Sequence, residues 1–491
     1  MIISHTLQFS AATVGTLSNL IASAVRVEAV QPDRKLIELI EGTVSRSDSN
    51  TRPPTDFSIE EMPEQRLNLL MRQSIPYFNY YAQREADLFV IHPMRMGAFL
   101  VRNAGSTIAS DFVGGVLSTA SELPNGGLAW YYPRHYKVAR MLGPRLRYSA
   151  ISQGTLMSGL AAMSRATPLI DSYWSKAAFR AFLWPFERGG VNLADRAVLE
   201  MPLFAGPPEI ILNGWIDALL HTRDYGELMQ DNEAIEFFRK NVTFLVNILP
   251  IFDCREARIS RYSDLSPYRA KITLGRPEDV DTLEVFYRPR IDGLPAIRIP
   301  LERTGNPDNF SPYENQILRQ AGRNAFVWLS CSQIYETVVV ARTASMTAQI
   351  KTGVLDRKQA SPGIHGETIH FDSKEENGLR YFSFSPENGL WGGYPTNFAK
   401  DGIENFYHVY HIVALLLLAV GNHVEQSQRE VMINWVLRWM QDMYDIEDTE
   451  NLRFRDPQAM LELVNKNQIR IEESNFNRLL VKVLNMKGLS Y

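Results

Sequence analysis

The spacing of apolar residues changes midway along this chain, and that change limits the folds open to it. From Tyr148 to Leu249 apolar residues recur three and four positions apart, the repeat that one buried helix face requires. Ser149–Ala166, Ile170–Phe186, Ile210–Met229 and Glu233–Leu249 each read as a helix, joined by short loops. Near residue 270 the repeat falls to two. Thr282–Leu301, Ile334–Thr352 and Gly366–Phe384 alternate β-branched and aromatic residues with polar ones, and Gly, Pro and Asn mark turns between them. Helical spacing returns over Glu404–His423 and Gln426–Met443. Helix pairs with short connections predict a mainly α protein, an incomplete α/α toroid or barrel, interrupted by a β-rich insertion of hairpins and strands. The boundaries fall at 1–85 for an N-terminal extension, 86–270 with 404–491 for the barrel, and 271–403 for the insertion. Asp48–Pro54 is a breaker-rich linker, Glu64–Ile75 has helical spacing, and Ser121–Trp130 is a turn carrying Pro and Gly-Gly.

A chain of 491 residues is long enough for more than one packed unit. Its 45% apolar and 22% charged residues are ordinary for a folded soluble protein. A net charge of −4 gives no case for nucleic acid as partner, although a local basic groove still suits an acidic polymer. Cys254 and Cys331 are too few for a disulfide framework or a cysteine zinc site. The most apolar run, Ile412–Val420, has nine residues where a membrane span needs roughly 20, so it reads as a buried helix without stable membrane insertion. Met1–Ala29 lacks a basic n-region and is interrupted by polar residues; a soluble chain is expected, cytoplasmic rather than secreted. There is no P-loop, G-x-G-x-x-G, G-x-S-x-G or H-E-x-x-H motif, and the sequon at Asn241 falls inside a predicted helix.

Chemistry is concentrated around Glu200–Asp253. A Pro-broken loop holding Glu200 and Glu209 runs into a helix opening on Leu212-Asn213-Gly214-Trp215, and loops that feed helix pairs are where helical barrels keep their sites. His408 and His411, three apart on one helix face, lack a third ligand in a metal motif, so no metal is expected. Trp130, Tyr131, Tyr132, His135 and Tyr136, interleaved with Arg134 and Lys137, fit either sugar stacking or a core.

Four blocks carry a resemblance: Tyr148-Ser-Ala-Ile-Ser-Gln153-Gly154; Glu200-Met-Pro202 with Leu212-Asn213-Gly214-Trp215; Tyr262-Ser-Asp264-Leu265; and Tyr407-His408-Val-Tyr-His411. Together they resemble the C-terminal catalytic domain of the D-glucuronyl C5-epimerases, with Met201 standing where that family has a tyrosine. The resemblance implies an α/α barrel that inverts C5 of D-glucuronate residues in an acidic, heparosan-like polysaccharide. It implies no cofactor and leaves a homodimer open. Such chemistry removes a proton α to a carboxylate and returns one on the opposite face, so two acid/base groups must flank the ring. Fixed donors or a cation must receive the charge that builds on the carboxylate. A phenol near a positive charge suits the first task, and an arginine fork the second. By resemblance Glu200, Tyr262 and Tyr407 are catalytic, while Tyr148, Gln153, Asn213, Arg261, His408 and His411 bind substrate. Each residue also has a plain alternative: Tyr148, Gln153 and Gly154 in helix packing, Glu200 as a cap, Asn213 and the histidines as structural hydrogen bonders. A polysaccharide lyase, or a silent glycan-binding protein favoured by Met201, are the rival functions.

Overall fold

The computed structural model describes residues 16–28, 30–45, 69–72, 74–79, 88–133, 146–202, 206–254, 259–299, 301–304, 316–319, 324–351, 368–385 and 406–444. Its α-helices are α1 (Leu17–Ser23), α2 (Arg34–Glu41), α3 (Pro93–Arg102), α4 (Thr107–Ser118), α5 (Ala150–Ala166), α6 (Tyr173–Phe182), α7 (Leu212–Met229), α8 (Asn232–Ile248), α9 (Phe406–Val420) and α10 (Gln426–Tyr444). The helix-period segments from Ser149 onward therefore fold as helices within a few residues of the bounds their spacing predicts.

Local chemistry sets where these helices begin and end. Asp231 caps α8 by accepting from Glu233 and Ala234 N–H groups, satisfying donors that have no partner within the helix. Gln230, just before it, takes the left-handed conformation (φ 53°) that closes α7. The helices then pack in two layers. In one, α3, α5, α7 and α9 lie side by side in that order; α6, α8 and α10 lie against α5, α7 and α9. The α3–α5 crossing is close because it is built on glycine. A Cβ on Gly97 would come within 2.6 Å of the Leu156 backbone nitrogen, and one on Gly159 within 2.8 Å of Leu100 Cβ. Ile412, Leu415, Leu416 and Leu418 of α9 are buried, as the apolar run predicts. Among the described residues no helix is long and apolar enough to cross a membrane.

The period-two region forms two six-stranded sheets. One runs Val25–Arg26, Ile297–Ile299, Glu284–Pro289, Tyr335–Ala341, Leu379–Phe384, Lys374–Glu376. The other runs Glu302–Thr304, Gln316–Arg319, Asn324–Ser332, Leu265–Leu274, Met346–Lys351, Thr368–Asp372. Alternation sorts their faces. Val285, Tyr287 and Val339 share a core with Ala270, Ile272 and Ile350 of the second sheet. Phe286, Val338 and Val340 point the other way, onto Leu17 and Leu20 of α1.

Three features depart from the sequence expectation. The molecule is mixed α and β with more helix than strand, since the β-rich part begins at Leu265 rather than 271 and a further sheet lies near the N-terminus. Val25–Arg26 pairs in parallel with Ile297–Arg298, so part of the extension completes the β-rich unit. Glu64–Ile75 does not form the expected helix: Leu69–Arg72 is a strand paired with Ile75–Asn79 through Ser74, whose φ of 65° makes the turn. Leu, Met and Arg are good helix formers, but intrinsic propensity is small per residue and ladder pairing overrides it. Residues 64–68 and the linker Asp48–Pro54 lie outside the described residues.

Candidate active site at the start of helix α7

A short antiparallel contact closes the loop that precedes α7. Ile211 bridges Ser263, the Leu212 N–H donates to the Tyr262 carbonyl (3.0 Å), and the Asp264 N–H donates to that of Ile210 (3.2 Å). Asp264 locks it. Its carboxylate accepts from the Ile210 N–H (2.8 Å) and from Ser332 Oγ (2.6 Å), joining the helical layers to the β-rich unit. The same loop is tied to the start of α5, where the Ala150 N–H donates to the Glu200 carbonyl (3.1 Å).

Three carboxyls gather here, and burial controls all of them. Asp264 is fully buried and pushed up to about 7 by burial, against the pull of its hydrogen bonds. Burial also raises Glu209 to about 7, with a Ser263 hydrogen bond opposing and the Asp264 charge adding. Glu200 rises to about 8, through burial first and then the charges of Glu209 and Asp217. Glu200 keeps part of its surface exposed, but its Oε2 is buried and has no hydrogen-bond partner among the described residues. The carboxyl occupies the space that Gly214 leaves, where a Cβ would overlap Oε2. Asn213 is 8% exposed, and its Oδ1 likewise lacks a partner among the described residues. Burial therefore favours the protonated form of Glu200, which packs against the glycine that follows Asn213.

A polar seam continues from there across three helices. On α7, Asp217 and His221 are four apart and so share a face. Tyr410 of α9 donates its hydroxyl to Asp217 Oδ1 (3.1 Å), and His221 Nε2 lies 3.9 Å from Asp217 Oδ2. His221 Nδ1 is 3.2 Å from Ser158 Oγ of α5, and that hydroxyl is also 3.2 Å from the His221 carbonyl. Gly154 gives the imidazole room: a Cβ there would sit 3.1 Å from His221 Cβ. Ser158, Asp217, His221 and Tyr410 are all partly exposed.

The two histidines of α9 face the interior instead. His408 Nδ1 accepts from the Ser260 N–H (2.9 Å), and its Nε2, 3.2 Å from the Trp439 carbonyl, must carry the proton. Ser260 Oγ sits between both rings, 2.9 Å from His408 Nδ1 and 2.8 Å from His411 Nδ1. Burial lowers His408 to about 4 and takes His411 well below its ordinary range, so both are neutral. Among the described residues no three His, Cys, Asp or Glu side chains are grouped so as to hold a metal ion.

The residues named from sequence thus divide. Glu200, Asn213 and the Tyr262 backbone meet at the start of α7, and Tyr262 is partly exposed. Arg261 is adjacent in sequence but only 5% exposed, its N–H bonded to the Phe252 carbonyl (2.6 Å). Tyr407 lies in the first turn of α9, beside His408, and its side chain is outside the described residues. Tyr148 is fully buried and donates to the Ala181 carbonyl (3.0 Å). Gln153 donates to the Leu128 and Ala178 carbonyls (2.7 and 2.9 Å). These bonds are those of helix and strand packing. Trp130, Tyr131 and Tyr132 are buried, with the indole N–H on the Val116 carbonyl (2.8 Å); Arg134, His135, Tyr136 and Lys137 lie outside the described residues. Sequence reading missed Ser158, Asp217, His221 and Tyr410. The available signal was a polar residue every fourth position, Asn213, Asp217 and His221, along the otherwise apolar first half of α7.

No family model matches the chain, and no curated protein matches it.

Proposed function

We propose that this protein is a uronate C5-epimerase acting on D-glucuronate residues of an acidic, heparosan-like polysaccharide, with its two helical layers forming part of an α/α toroid. The observation that carries this reading is the Glu200 carboxyl, buried against Gly214 and pushed up to about 8, so that it holds a proton at neutral pH. A protonated carboxylic acid at the edge of accessible space is what returning a proton to a carbanion needs. By the resemblance Tyr262 and Tyr407 are the phenols of the site, and Arg261 with Asn213 receives the substrate carboxylate. The resemblance of the four sequence blocks supports the same assignment.

Heavy-water exchange tests it. Incubating a glucuronate polymer with the protein in D2O should place deuterium at C5 without shortening the chain. Unsaturated, ultraviolet-absorbing ends would identify a lyase instead, and retention of the polymer with neither change would identify a binding protein.

A further inference from the structure

The geometry points to His221 as the second proton-exchanging group of this site, held by Asp217 and Tyr410 as positioning residues. This assignment rests on the reading of the site as one that moves a proton at a uronate carbon.

A histidine that takes a proton needs one nitrogen held by a hydrogen bond and a lone pair on the other, and the surroundings of His221 fit this. In the neutral ring Nδ1–H donates to Ser158 Oγ, whose hydroxyl donates to the His221 carbonyl at the same 3.2 Å, so the lone pair is on Nε2. In the charged ring that bond is kept, and the new Nε2–H faces Asp217 Oδ2 as an ion pair. Tyr410 fixes the other carboxylate oxygen at 3.1 Å, so Asp217 keeps its place as the ring charge changes.

Access separates this imidazole from others. His92, His408 and His411 are buried at 6% exposure or less, whereas the His221 side chain keeps 22% and Asp217 23%. The 3.9 Å between Nε2 and Oδ2 is longer than a hydrogen bond, so Nε2 is not tied to the carboxylate. Asp217 also couples the seam to Glu200, being one of the charges that hold that acid protonated.

The proton balance closes on these residues. Neutral His221 takes the proton from C5, and the C–H electron pair moves into the uronate carboxylate as an enediolate. Glu200 gives its carboxyl proton to the opposite face of C5. The epimer leaves behind an imidazolium and a Glu200 carboxylate, which return to their starting states by exchange with water.

The test is deuterium incorporation at C5 of a glucuronate polymer by wild type, His221→Ala, His221→Gln, Asp217→Asn, Tyr410→Phe and, as a control, His423→Gln, each checked for folding by circular dichroism. Loss of a general base costs about 10²–10⁴-fold, so both His221 variants should lose at least about 100-fold. Added imidazole should restore part of the rate to His221→Ala but none to His221→Gln, whose side chain fills the space. Asp217→Asn and Tyr410→Phe should lower kcat more than they raise KM, and His423→Gln should match wild type. If wild type exchanges and both folded His221 variants exchange as fast, this assignment is overturned and the epimerase reading stands. If wild type exchanges nothing, the reading and the assignment fall together.

Discussion

Two buried polar clusters lie four residues apart in sequence, one at Ser260 and one at Asp264, and they are built to opposite ends. At Ser260 two neutral imidazoles share one hydroxyl and tie the chain across 148 positions to α9, although His411 Nε2 is left without a hydrogen-bond partner among the described residues. At Asp264 the inner carboxyl is equally well bonded, but the cluster opens outward through Glu209 to Glu200, where Oε2 and the nearby Asn213 Oδ1 are left without partners among the described residues. Buried polar atoms are ordinarily bonded, and in the proposed reading the substrate supplies the partner that Glu200 Oε2 lacks among the described residues. The imidazole cluster ties α9 to the Ser260 strand; the acid cluster holds carboxyls that burial makes hard to ionise.

The sharpest break in that contrast is functional. Glu200→Gln should abolish C5 exchange, a loss of at least about 100-fold, while leaving thermal stability at pH 8 unchanged or higher, because it removes a carboxyl that resists ionising there. A variant that keeps exchange, or that unfolds, would place Glu200 among the structural groups instead. Next in size, Asp264→Ala removes the acceptor for Ile210 N–H and Ser332 Oγ and should cost about 2–4 kcal/mol in urea unfolding. His408→Ala, which strips the partner from the Ser260 N–H, should cost about 1–3 kcal/mol by the same measurement.

Stability against pH sharpens the contrast, because the clusters carry opposite slopes. Between 4.5 and about 8 the folded chain keeps a proton on Glu200 that the unfolded chain has lost, so this group's contribution falls as pH rises through that window. His408 runs the other way. Between 6.5 and about 4 the unfolded chain takes up a proton that the folded chain refuses, so stability falls as pH drops. Glu200→Gln should flatten the alkaline limb of a melting-temperature profile, and His408→Gln the acid limb. The same limb changing in both variants would mean the two clusters titrate as one.

The smallest effect concerns the seam. Gly154→Ala places a methyl about 3.1 Å from His221 Cβ, which asks the ring to shift by a few tenths of an ångström. Stability should change by less than about 1 kcal/mol, while C5 exchange drops several-fold, as misplacement within a proton-transfer pair does.

Much of the architecture was readable from spacing alone. The helices from Ala150 to Ile248 and from Phe406 to Tyr444 follow from their apolar repeat, and the strands from Glu284 to Phe384 from theirs. Leu69–Arg72 was not readable, because four residues with helix-favouring side chains were decided by pairing with Ile75–Asn79. Glu200 and Glu209 stood out because they are two acids in a Pro-broken loop that feeds a helix pair. Asp217 and His221 did not, since polar residues four apart on a helix look like a solvated face until the neighbouring helix brings up Tyr410. Tyr148 and Gln153 came forward with their sequence block, yet only the fold shows the Tyr148 hydroxyl and the Gln153 Nε2 group bonded to the Ala181, Leu128 and Ala178 carbonyls.

The most direct measurement is the protonation state of Glu200 itself, followed as the side-chain carboxyl ¹³C shift from pH 4 to 9, with Glu200→Gln to identify the signal. A carboxyl still protonated at pH 7 and titrating near 8 is the expected result. A carboxylate already formed by pH 6, with its midpoint near the ordinary 4.5, would contradict the claim that this site holds a proton ready to give.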